Sequence, residues 1–559
     1  MRRAFCYSLC AISLVVLLVL SAGCDGGGLI FKVTPPDAGD RPGGWDPGDW
    51  DPGIWDPGGL DPGGSAPQDS RFTGQWVASF GDDRATGNAR FGPVQYAISL
   101  NMRQSGSNLS GNGILFRVFR EGPTASNRIT VQVSGTASGD DATFMVRSSG
   151  LDRDQLWHVR LAGNRMAGMY VARGDAGEVV RSGHTIWHKA IMRAYENIPW
   201  AASYSDDFGF TGFPRRSRTA SITPVLGQSG VGGSGTFYEH RGLPSEIDFD
   251  IVRGGVSGAE LGLTFGGVDL IDKEVDWFGF FGGNFIKAAY GQFDASDALI
   301  RFGHATWVRA PVRELTAING TWTGSFRDQT VETPSQPADF VAVFNLTVTS
   351  GGEVTGYALI RNEADDAPDF LRYNIDEGSI TGTRAQISMS RVASSFFWDL
   401  RLGDGVLLGS YQRFVGAQNR FTGTGHAEFR RLTSPGTLRG TWAAAYMDTF
   451  GAVSPEQTQL ALVTVSNQPE AGGPFNGFGA LRFAGENRRR LFNVTGDVVA
   501  GDIVWQWRGA DLFGDTIWHL RRAGNLLYGT YTNYTAGGAI ESRGAGVWVQ
   551  SSFSGAFEQ

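Results

Sequence analysis

From residue 72 onwards, apolar and polar residues alternate along the chain with a period of two. In VQYAISLNMR, the apolar residues are Val94, Tyr96, Ile98, Leu100 and Met102, and each is followed by a polar or small residue. This period places alternate side chains on opposite faces of a β-strand, with one face buried. Turn-forming stretches such as GSNLSGNG and SGTASGDD separate these segments. No amphipathic run long enough for a helix follows residue 71, so the pattern predicts an all-β fold.

The pattern occurs four times. The segments GQWVASFGD, IPWAASYSD, GTWTGSFRD and GTWAAAYMD each contain a tryptophan and, six residues later, an aspartate. The tryptophans are Trp76, Trp200, Trp322 and Trp442, at spacings of 124, 122 and 120 residues. The aspartates are Asp82, Asp206, Asp328 and Asp448. Such regular spacing indicates an internal repeat of whole domains.

A second set of aromatic residues has the same period. Each copy has a tryptophan that lies thirteen residues before a tyrosine. The tryptophans are Trp157, Trp277, Trp398 and Trp518, and the tyrosines are Tyr170, Tyr290, Tyr411 and Tyr531. A Gly-Asn or Asp-Gly pair between apolar stretches lies at the middle of each segment, which is typical of a β-hairpin. The segments GHTIW, GHATW, GHAEF and GAGVW then end each copy. We therefore predict four tandem domains, each of about eight antiparallel strands.

Eight sequential strands joined by short turns can close into a barrel, which removes the exposed sheet edges. The first strand of three copies begins with Gly-x-Trp, at Gly74, Gly320 and Gly440, whereas the second copy has Ile198 instead. This motif resembles the start of the calycin barrels, the lipocalins and avidins. The resemblance implies an up-and-down meander and carries over no ligand residue. An open sandwich for each copy and one propeller made of all four copies are the alternatives.

In a closed barrel the first and last strands are neighbours. We therefore expect the two tryptophan sets to approach each other at one end of each barrel.

The N-terminus has the features of an export signal. Arg2 and Arg3 precede an apolar run at residues 11–20, which is too short for a stable membrane span. The run ends in LSAGC, which resembles the lipobox of bacterial lipoproteins and implies acylation of Cys24. The other two cysteines lie within the signal, so Cys24 has no partner in the mature chain. An ordinary secretory signal is the alternative.

Residues 44–64 read GWDPGDWDPGIWDPGGLDPGG, and the surrounding segment lacks hydrophobic periodicity. Such a composition cannot bury enough apolar surface to fold, so we predict a spacer; a tryptophan ladder that docks on a partner or on cell-wall glycan is the alternative. The predicted organisation is a signal peptide at residues 1–23, a linker with WDPGx repeats at 24–71, and β-repeats at 72–190, 191–311, 312–433 and 434–559.

The sequence offers little that is typical of catalysis. GVGGSG at residues 230–235 fits a dinucleotide motif but precedes a strand rather than a helix. The seven histidines do not group as metal ligands, and a net charge of −8 argues against nucleic acid as a partner. We find no combination of nucleophile, base and acid. The sequence thus predicts no enzyme, no cofactor and no metal.

The repeated tryptophans and aspartates are the candidate ligand or rim residues. They are Trp76, Trp200, Trp322, Trp442, Asp82, Asp206, Asp328 and Asp448. The aspartates fall where the first strand of each copy is expected to end. There they form Asx-turns or, alternatively, contact calcium or another ligand at the barrel rim.

These features predict a bacterial cell-envelope protein, anchored to the inner or the outer membrane through a lipid on Cys24. Its role is binding or structural rather than catalytic, and its partner is a protein or a glycan of the envelope. As the alternative function, each barrel carries a small apolar ligand in its interior.

Overall fold

The computed structural model describes residues 70–551 apart from short segments. Those segments are 87–92, 120–125, 191–196, 210–214, 228–229, 241–244, 268–273, 311–314, 332–336, 364–368, 417, 449, 452–456, 469–471, 487, 510–511 and 513. The predicted signal, Cys24 and nearly all of the linker therefore lie outside the described residues. Within the described part, no helix has the length and apolar character needed to cross a membrane.

Nine strands, one of them very short, form each of the first two copies. Barrel 1 contains β1 (Gly74–Gly81), β2 (Arg84–Ala85), β3 (Gln95–Ser105), β4 (Asn108–Val118), β5 (Ser126–Ser138), β6 (Asp141–Arg147), β7 (Gln155–Ala162), β8 (Arg165–Arg173) and β9 (Val179–Lys189). Barrel 2 contains β10 (Trp200–Ser205), β11 (Phe208–Gly209), β12 (Ser217–Gly227), β13 (Gly230–His240), β14 (Ser245–Ser257), β15 (Glu260–Gly266), β16 (Glu274–Phe281), β17 (Phe285–Phe293) and β18 (Leu299–Arg309).

The other two copies repeat this arrangement, and a 3-10 helix (Leu315–Ile318) precedes the third. Barrel 3 contains β19 (Gly320–Arg327), β20 (Thr330–Val331), β21 (Asp339–Val348), β22 (Val354–Asn362), β23 (Leu371–Thr381), β24 (Arg384–Arg391), β25 (Ser394–Leu402), β26 (Val406–Val415) and β27 (Arg420–Arg431). Barrel 4 contains β28 (Gly440–Met447), β29 (Phe450–Gly451), β30 (Thr458–Asn467), β31 (Phe475–Phe483), β32 (Arg490–Val499), β33 (Asp502–Arg508), β34 (Thr516–Ala523), β35 (Leu526–Tyr534) and β36 (Ile540–Ser551).

Every sheet closes on itself. The strands of barrel 1 pair in the order β1-β3-β4-β5-β6-β7-β8-β9-β2, and β1 also pairs with β9. The short β2 continues the first strand after a break of two residues, so eight long strands surround the core. The other three copies have the same order and closure. The prediction of an all-β chain with four closed meander barrels is confirmed, and it replaces the sandwich and the propeller.

The Gly-x-Trp motif has a conformational cause. Gly74, Gly320 and Gly440 have φ values of 125°, 119° and 115°, which side-chain-bearing residues rarely adopt. The second copy has Ile198 at this position, and its first strand begins only at Trp200, two residues later than in the other copies. The three copies that have the glycine therefore also have the longer first strand.

The interior of each barrel is filled with side chains. In barrel 3, Trp322 is 1% exposed, and Trp398 and Phe344 are fully buried. The ring centroids of Phe326 and Trp398 lie 5.1 Å apart, within the range of favourable aromatic pairs. A cavity inside barrel 2, lined by Leu263, Trp277 and neighbouring residues, measures about 10 Å³, roughly the room that one water molecule needs.

The two tryptophan sets do not meet in the way that we expected. The indole of Trp157 packs against Phe80 and Trp187, with ring centroids 5.0 Å away in both cases. Trp76 lies four residues before Phe80, nearer the end of the barrel, and its indole N–H donates to the Phe72 carbonyl at 2.9 Å. A strand of an antiparallel sheet rises by about 3.4 Å per residue. The four residues between Trp76 and Phe80 therefore place Trp76 roughly 13 Å along the barrel from the contact of Phe80 with Trp157.

Within the compact unit Asp51–Gln559, the four barrels form a closed ring. The first strand of each barrel packs against the last three long strands of the next: β1 against β16–β18, β10 against β25–β27, and β19 against β34–β36. The ring closes because β28 of barrel 4 packs in the same way against β7–β9 of barrel 1. The same two faces meet at every junction, which is the arrangement of a heterologous, cyclic assembly.

Each barrel has its own hydrophobic core, so we expect residues 312–433 to fold when expressed alone. The isolated domain should show a cooperative, β-rich unfolding transition. Its melting temperature should lie below that of the whole protein because Val406, Leu408 and Phe397 lose their neighbours in barrel 2. Circular dichroism during heating measures this, and a disordered product would mean that the ring folds only as a unit.

Candidate functional site

The four repeated aspartates lie at the break in the first strand of each barrel. Asp206, Asp328 and Asp448 are buried, and the side chain of Asp82 is also shielded from solvent. The phenol of the repeated tyrosine donates a hydrogen bond to each of them. Tyr170 donates to Asp82, Tyr290 to Asp206 at 2.7 Å, Tyr411 to Asp328 at 2.9 Å, and Tyr531 to Asp448 at 2.6 Å. We call each of these pairs a Tyr–Asp latch. The latch joins the first strand to the next-to-last strand, about 83 to 88 residues further on.

The carboxylates of the latches also accept hydrogen bonds from backbone N–H groups at the start of the following strand. Asp82 accepts from Val94 at 2.8 Å, Asp206 from Arg216 at 2.8 Å, and Asp328 from Ala338 at 3.2 Å. An Asx-turn would instead bond a residue two positions further along. The aspartates thus hold the end of the barrel together through contacts that are distant in sequence.

Three latches include an arginine, and the fourth differs. Arg181 pairs with Asp82, Arg218 with Asp206 at 2.8 Å, and Arg413 with Asp328 at 2.5 Å. The donors to Asp448 are instead neutral: Tyr531, Ser542 at 3.1 Å and Gln459 at 2.9 Å. Burial raises the pKa of Asp448 to about 6, although these donors oppose the shift.

The first-strand tryptophans are also buried. Trp76, Trp200, Trp322 and Trp442 are 0–3% exposed. The indole N–H groups of Trp322 and Trp442 donate to the carbonyls of Ile318 and Leu438, four residues earlier. The structure thus places all eight candidate ligand or rim residues inside the barrels, in packing and hydrogen-bonding positions. Among the described residues, no group of three or more His, Cys, Asp or Glu side chains is placed to hold a metal ion.

A repeated serine connects neighbouring barrels. Three residues after the first-strand tryptophan, Ser79 donates to the Ala305 carbonyl of barrel 2 at 3.2 Å. Ser203 donates in the same way to Ala427 of barrel 3 at 2.9 Å, and Ser325 to Gly546 of barrel 4 at 3.4 Å. In barrel 4 the position is Ala445, which packs with Ala443, Ala167 and other apolar residues at the junction with barrel 1. The junction that closes the ring is thus apolar at this point.

The histidines of the GHxxW segments lie at the same junctions. His304 Nδ1 is 2.7 Å from Asp207 of its own barrel and 2.8 Å from Gln95 of barrel 1. His426 Nδ1 is 3.0 Å from Ser205 of barrel 2. His184 contacts Asp83 at 2.6 Å, and Asp83 also accepts from Thr458 of barrel 4 at 2.9 Å. Residues from two barrels therefore surround each of these imidazoles.

Charged side chains from different barrels converge where the last two strands of each barrel face the interior of the ring. One register pair on these strands is given for each barrel, in chain order. The pairs are Arg165 with His188, Lys287 with Thr306, Leu408 with Glu428, and Tyr528 with Val547. Glu428 accepts from Arg430 at 2.8 Å and lies 3.5 Å from the Tyr528 hydroxyl of barrel 4. The axial cluster is defined as Arg165, His188, Lys287, Glu428, Arg430 and Tyr528.

Electrostatic coupling connects the axial cluster across the whole ring. Burial lowers the pKa of Lys287 to about 8; Glu428 opposes this shift, and Arg165 and Arg430 add to it. Arg165 of barrel 1 therefore acts on residues of barrels 2 and 3, although barrel 3 lies opposite barrel 1 in the ring. Burial also lowers the pKa of His188 well below its ordinary value, and Lys287, Arg165 and Arg430 lower it further.

The axial cluster is the candidate site that the sequence did not reveal. Each of its charges occurs in one copy only, so a search for repeated residues passes over it. Aligned on the hairpin, the position of Lys287 holds Ala167, Leu408 and Tyr528 in the other copies. Lysine is rare in this chain, with four against 44 arginines, so the signal that the sequence offered was an uncommon residue type at Lys287.

No family model and no curated protein matches the chain. Among solved structures, 18 chains match. A protein of unknown function from the DUF3598 family of Nostoc punctiforme is 11% identical, with a TM-score of 0.17, and covers 42% of this chain and 95% of its own.

Two further matches are transferrin binding proteins B. A double mutant from Haemophilus parasuis Hp5 is 8% identical, with a TM-score of 0.19, and covers 69% of this chain and 83% of its own. The isotype 1 protein from serogroup B Neisseria meningitidis is 10% identical, with a TM-score of 0.20, and covers 65% and 77%. At these scores the similarities carry no argument about the function of this chain.

Proposed function

We propose that the protein is a lipid-anchored bacterial envelope protein whose ring of four barrels has a binding or structural role without catalysis. The observation that carries this proposal is that the barrels are filled and are joined into a closed ring through the same two faces at every junction. A ring of this kind has a large outer surface, and the filled barrels leave little volume inside them. A protein that has a large outer surface and little internal volume is better suited to binding a partner or to a structural role than to converting a substrate.

The alternative function, transport of a small apolar ligand inside each barrel, receives less support. A carrier needs interior volume, since ligand pockets usually measure about 300–1,000 Å³. The described cavity inside barrel 2 measures only about 10 Å³, and the aromatic residues at the centre of the other barrels are buried in contact with one another. The aromatic residues therefore fill the barrels instead of lining a cavity.

The sequence supports the anchor and the spacer. LSAGC places Cys24 at the end of an export signal, and a lipid with two or more acyl chains holds a protein stably at a membrane. The WDPGx repeats would then separate the ring from the bilayer. As a flexible coil of about 45 residues, the linker would span about 40 Å, enough to reach a partner protein or glycan of the envelope.

We expect Cys24→Ala to move the protein from the membrane fraction to the soluble fraction, or to leave its signal uncleaved, because the acylated thiol is lost. Cell fractionation followed by immunoblotting measures this. Cys10→Ala changes a cysteine within the predicted signal and should leave the protein in the membrane fraction. Complete processing with unchanged membrane association of Cys24→Ala would contradict the lipoprotein proposal.

A further inference from the structure

An open groove with a volume of about 440 Å³ lies on the outer face of barrel 2. Six of its lining residues come from the neighbouring strands β12, β13 and β14, and each of the six has a side chain that ends in a hydroxyl or a carboxylate. They are Ser221, Thr223, Ser234, Thr236, Asp248 and Asp250. We call this feature the polar groove. Its volume falls within the range of about 300–1,000 Å³ that is usual for ligand-binding sites.

Strand pairing arranges the six side chains in two rows, each of which crosses β12, β13 and β14. The rows are Ser221, Thr236 and Asp248 in one, and Thr223, Ser234 and Asp250 in the other. Residues two apart on a strand lie on the same face, about 6.8 Å from each other, and neighbouring strands are about 4.8 Å apart. The polar groove therefore presents a regular array of oxygen-bearing side chains.

Arg401 of barrel 3 holds two hydroxyl groups of the polar groove in place. Its guanidinium group donates to Ser221 at 3.0 Å and to Thr236 at 3.0 Å, and the two hydroxyl groups lie 3.0 Å from each other. Side chains that are fixed before a ligand arrives lose less conformational entropy when the ligand binds. The junction between barrels 2 and 3 thus preorganises one row of the polar groove.

The two carboxylates of the polar groove are available to a ligand. Asp248 and Asp250 are exposed, and neither forms an ion pair with another residue in the described part of the chain. A carboxylate accepts stronger hydrogen bonds than a neutral oxygen does. The polar groove therefore combines strong acceptors with hydroxyl groups that both donate and accept.

The other three barrels do not repeat this array. Strand pairing identifies the corresponding positions, and in each of the other barrels at least one of the six holds an apolar or aromatic residue. These residues are Ile114 in barrel 1, Val343, Leu359 and Tyr357 in barrel 3, and Leu462, Ala480, Leu491 and Phe478 in barrel 4. The barrel fold therefore does not require hydroxyl and carboxylate groups at these positions, and the polar groove is a property of barrel 2.

We propose that the polar groove binds a neutral saccharide chain. The hydroxyl groups of a sugar both donate and accept hydrogen bonds, so they match the four Ser and Thr side chains and donate to the two carboxylates. Asp248 and Asp250 repel an anionic ligand, and an apolar ligand would remove water from polar groups without replacing its hydrogen bonds. A basic peptide would pair with the carboxylates but would bring positive charge towards Arg401. This inference rests on the proposed binding role and names the class of ligand and its site.

The test uses the full-length protein, purified in detergent, and measures affinity by isothermal titration calorimetry. The neutral probes are chitotetraose, a chain of N-acetylglucosamine that represents cell-wall glycan, and maltotetraose, a chain of plain glucose. Tetragalacturonate, which has a carboxylate on every unit, and tetralysine are the comparison ligands. We expect at least one neutral chain to bind with a Kd of about 1 mM or lower. Tetragalacturonate should bind about tenfold more weakly or not at all, because like charges repel.

Ser234→Tyr fills the polar groove and should abolish saccharide binding. The fold accepts this residue, since barrel 3 has Tyr357 at the corresponding position. Asp248→Ala should lower the affinity about tenfold, the usual effect of losing a hydrogen bond to a charged group. Both substitutions change exposed residues, so the melting temperature should stay near that of the wild type. Asp376→Ala, which changes an exposed aspartate on the corresponding strand β23 of barrel 3, is the control and should keep the affinity of the wild type.

Three outcomes would overturn the proposal. They are a wild type that binds neither neutral chain, an affinity that both groove variants retain, and tetralysine that binds more tightly than either saccharide and is released at high ionic strength. The last outcome would identify the polar groove as a site for basic peptides. None of these results changes the outcome expected for Cys24→Ala, so failure of this inference is distinguishable from failure of the lipid anchor.

Discussion

Trp322→Ala should lower the free energy of unfolding of barrel 3 by about 3–5 kcal/mol, the usual cost of removing a large aromatic side chain from a packed core. Trp322 is 1% exposed, its N–H donates to Ile318 at 2.8 Å, and the guanidinium of Arg431 lies 4.1 Å from its ring. The substitution removes all three interactions at once. Thermal or denaturant unfolding of the whole protein, followed by near-ultraviolet circular dichroism, measures the effect.

Trp50→Ala is the control for this experiment, because it changes a tryptophan of the WDPGx segment and should leave the unfolding curve unchanged. A shift of only a degree or two for Trp322→Ala would mean that the indole has free space around it. That result would contradict the packed barrel and favour the ligand-carrier function.

Between pH 4 and pH 7.5 the wild type should lose about 3 kcal/mol more stability than Asp448→Asn. Burial raises the pKa of Asp448 from 3.8 to about 6, so the native state binds this proton more tightly than the unfolded state does. The stabilising contribution is fully present below about pH 4 and is lost as the pH rises through about 6. A shift of about two pKa units corresponds to about 3 kcal/mol.

Denaturant unfolding of both proteins at several pH values measures this difference. Asp497→Asn changes an exposed aspartate of the same barrel and should keep the pH dependence of the wild type. If Asp448→Asn were to show the same loss of stability with rising pH as the wild type, the buried Asp448 carboxyl would not be the group that titrates.

The barrels could be predicted from the sequence because their determinants are local and repeated. The alternation of apolar and polar residues in β3 predicts the buried face of that strand, and the Gly-Asn and Asp-Gly pairs predict the hairpins. The spacing of Trp76 and its counterparts gives the copy number. Closure followed from the number of strands, since eight strands can form a barrel without an exposed edge.

The ring could not be predicted, because the residues that build it have no distinctive pattern. Ser79, Ser203 and Ser325 lie on the outward face of a strand, where a small polar residue also suits contact with water. Their partners are backbone carbonyl groups, which leave no trace in the sequence. The order of the four copies along the chain likewise does not show that the fourth barrel reaches the first.

The role of the repeated aspartates was recognised only in part. The sequence placed Asp82 and its counterparts at the end of the first strand, and the structure has them at the break in that strand. Their partners, Tyr170 and its counterparts, belong to the second repeated set. Without a model of which strand ends meet, nothing linked two residues that are 88 positions apart.

The ring has the arrangement of a cyclic homotetramer, yet one polypeptide forms it. In a homotetramer every side chain beside the axis occurs four times, so a single lysine codon would bring four ammonium groups together. Here one position holds Ala167, Lys287, Leu408 and Tyr528 in the four copies. Because one gene encodes all four copies, a residue beside the axis need not occur four times, and each substitution there changes one charge instead of four.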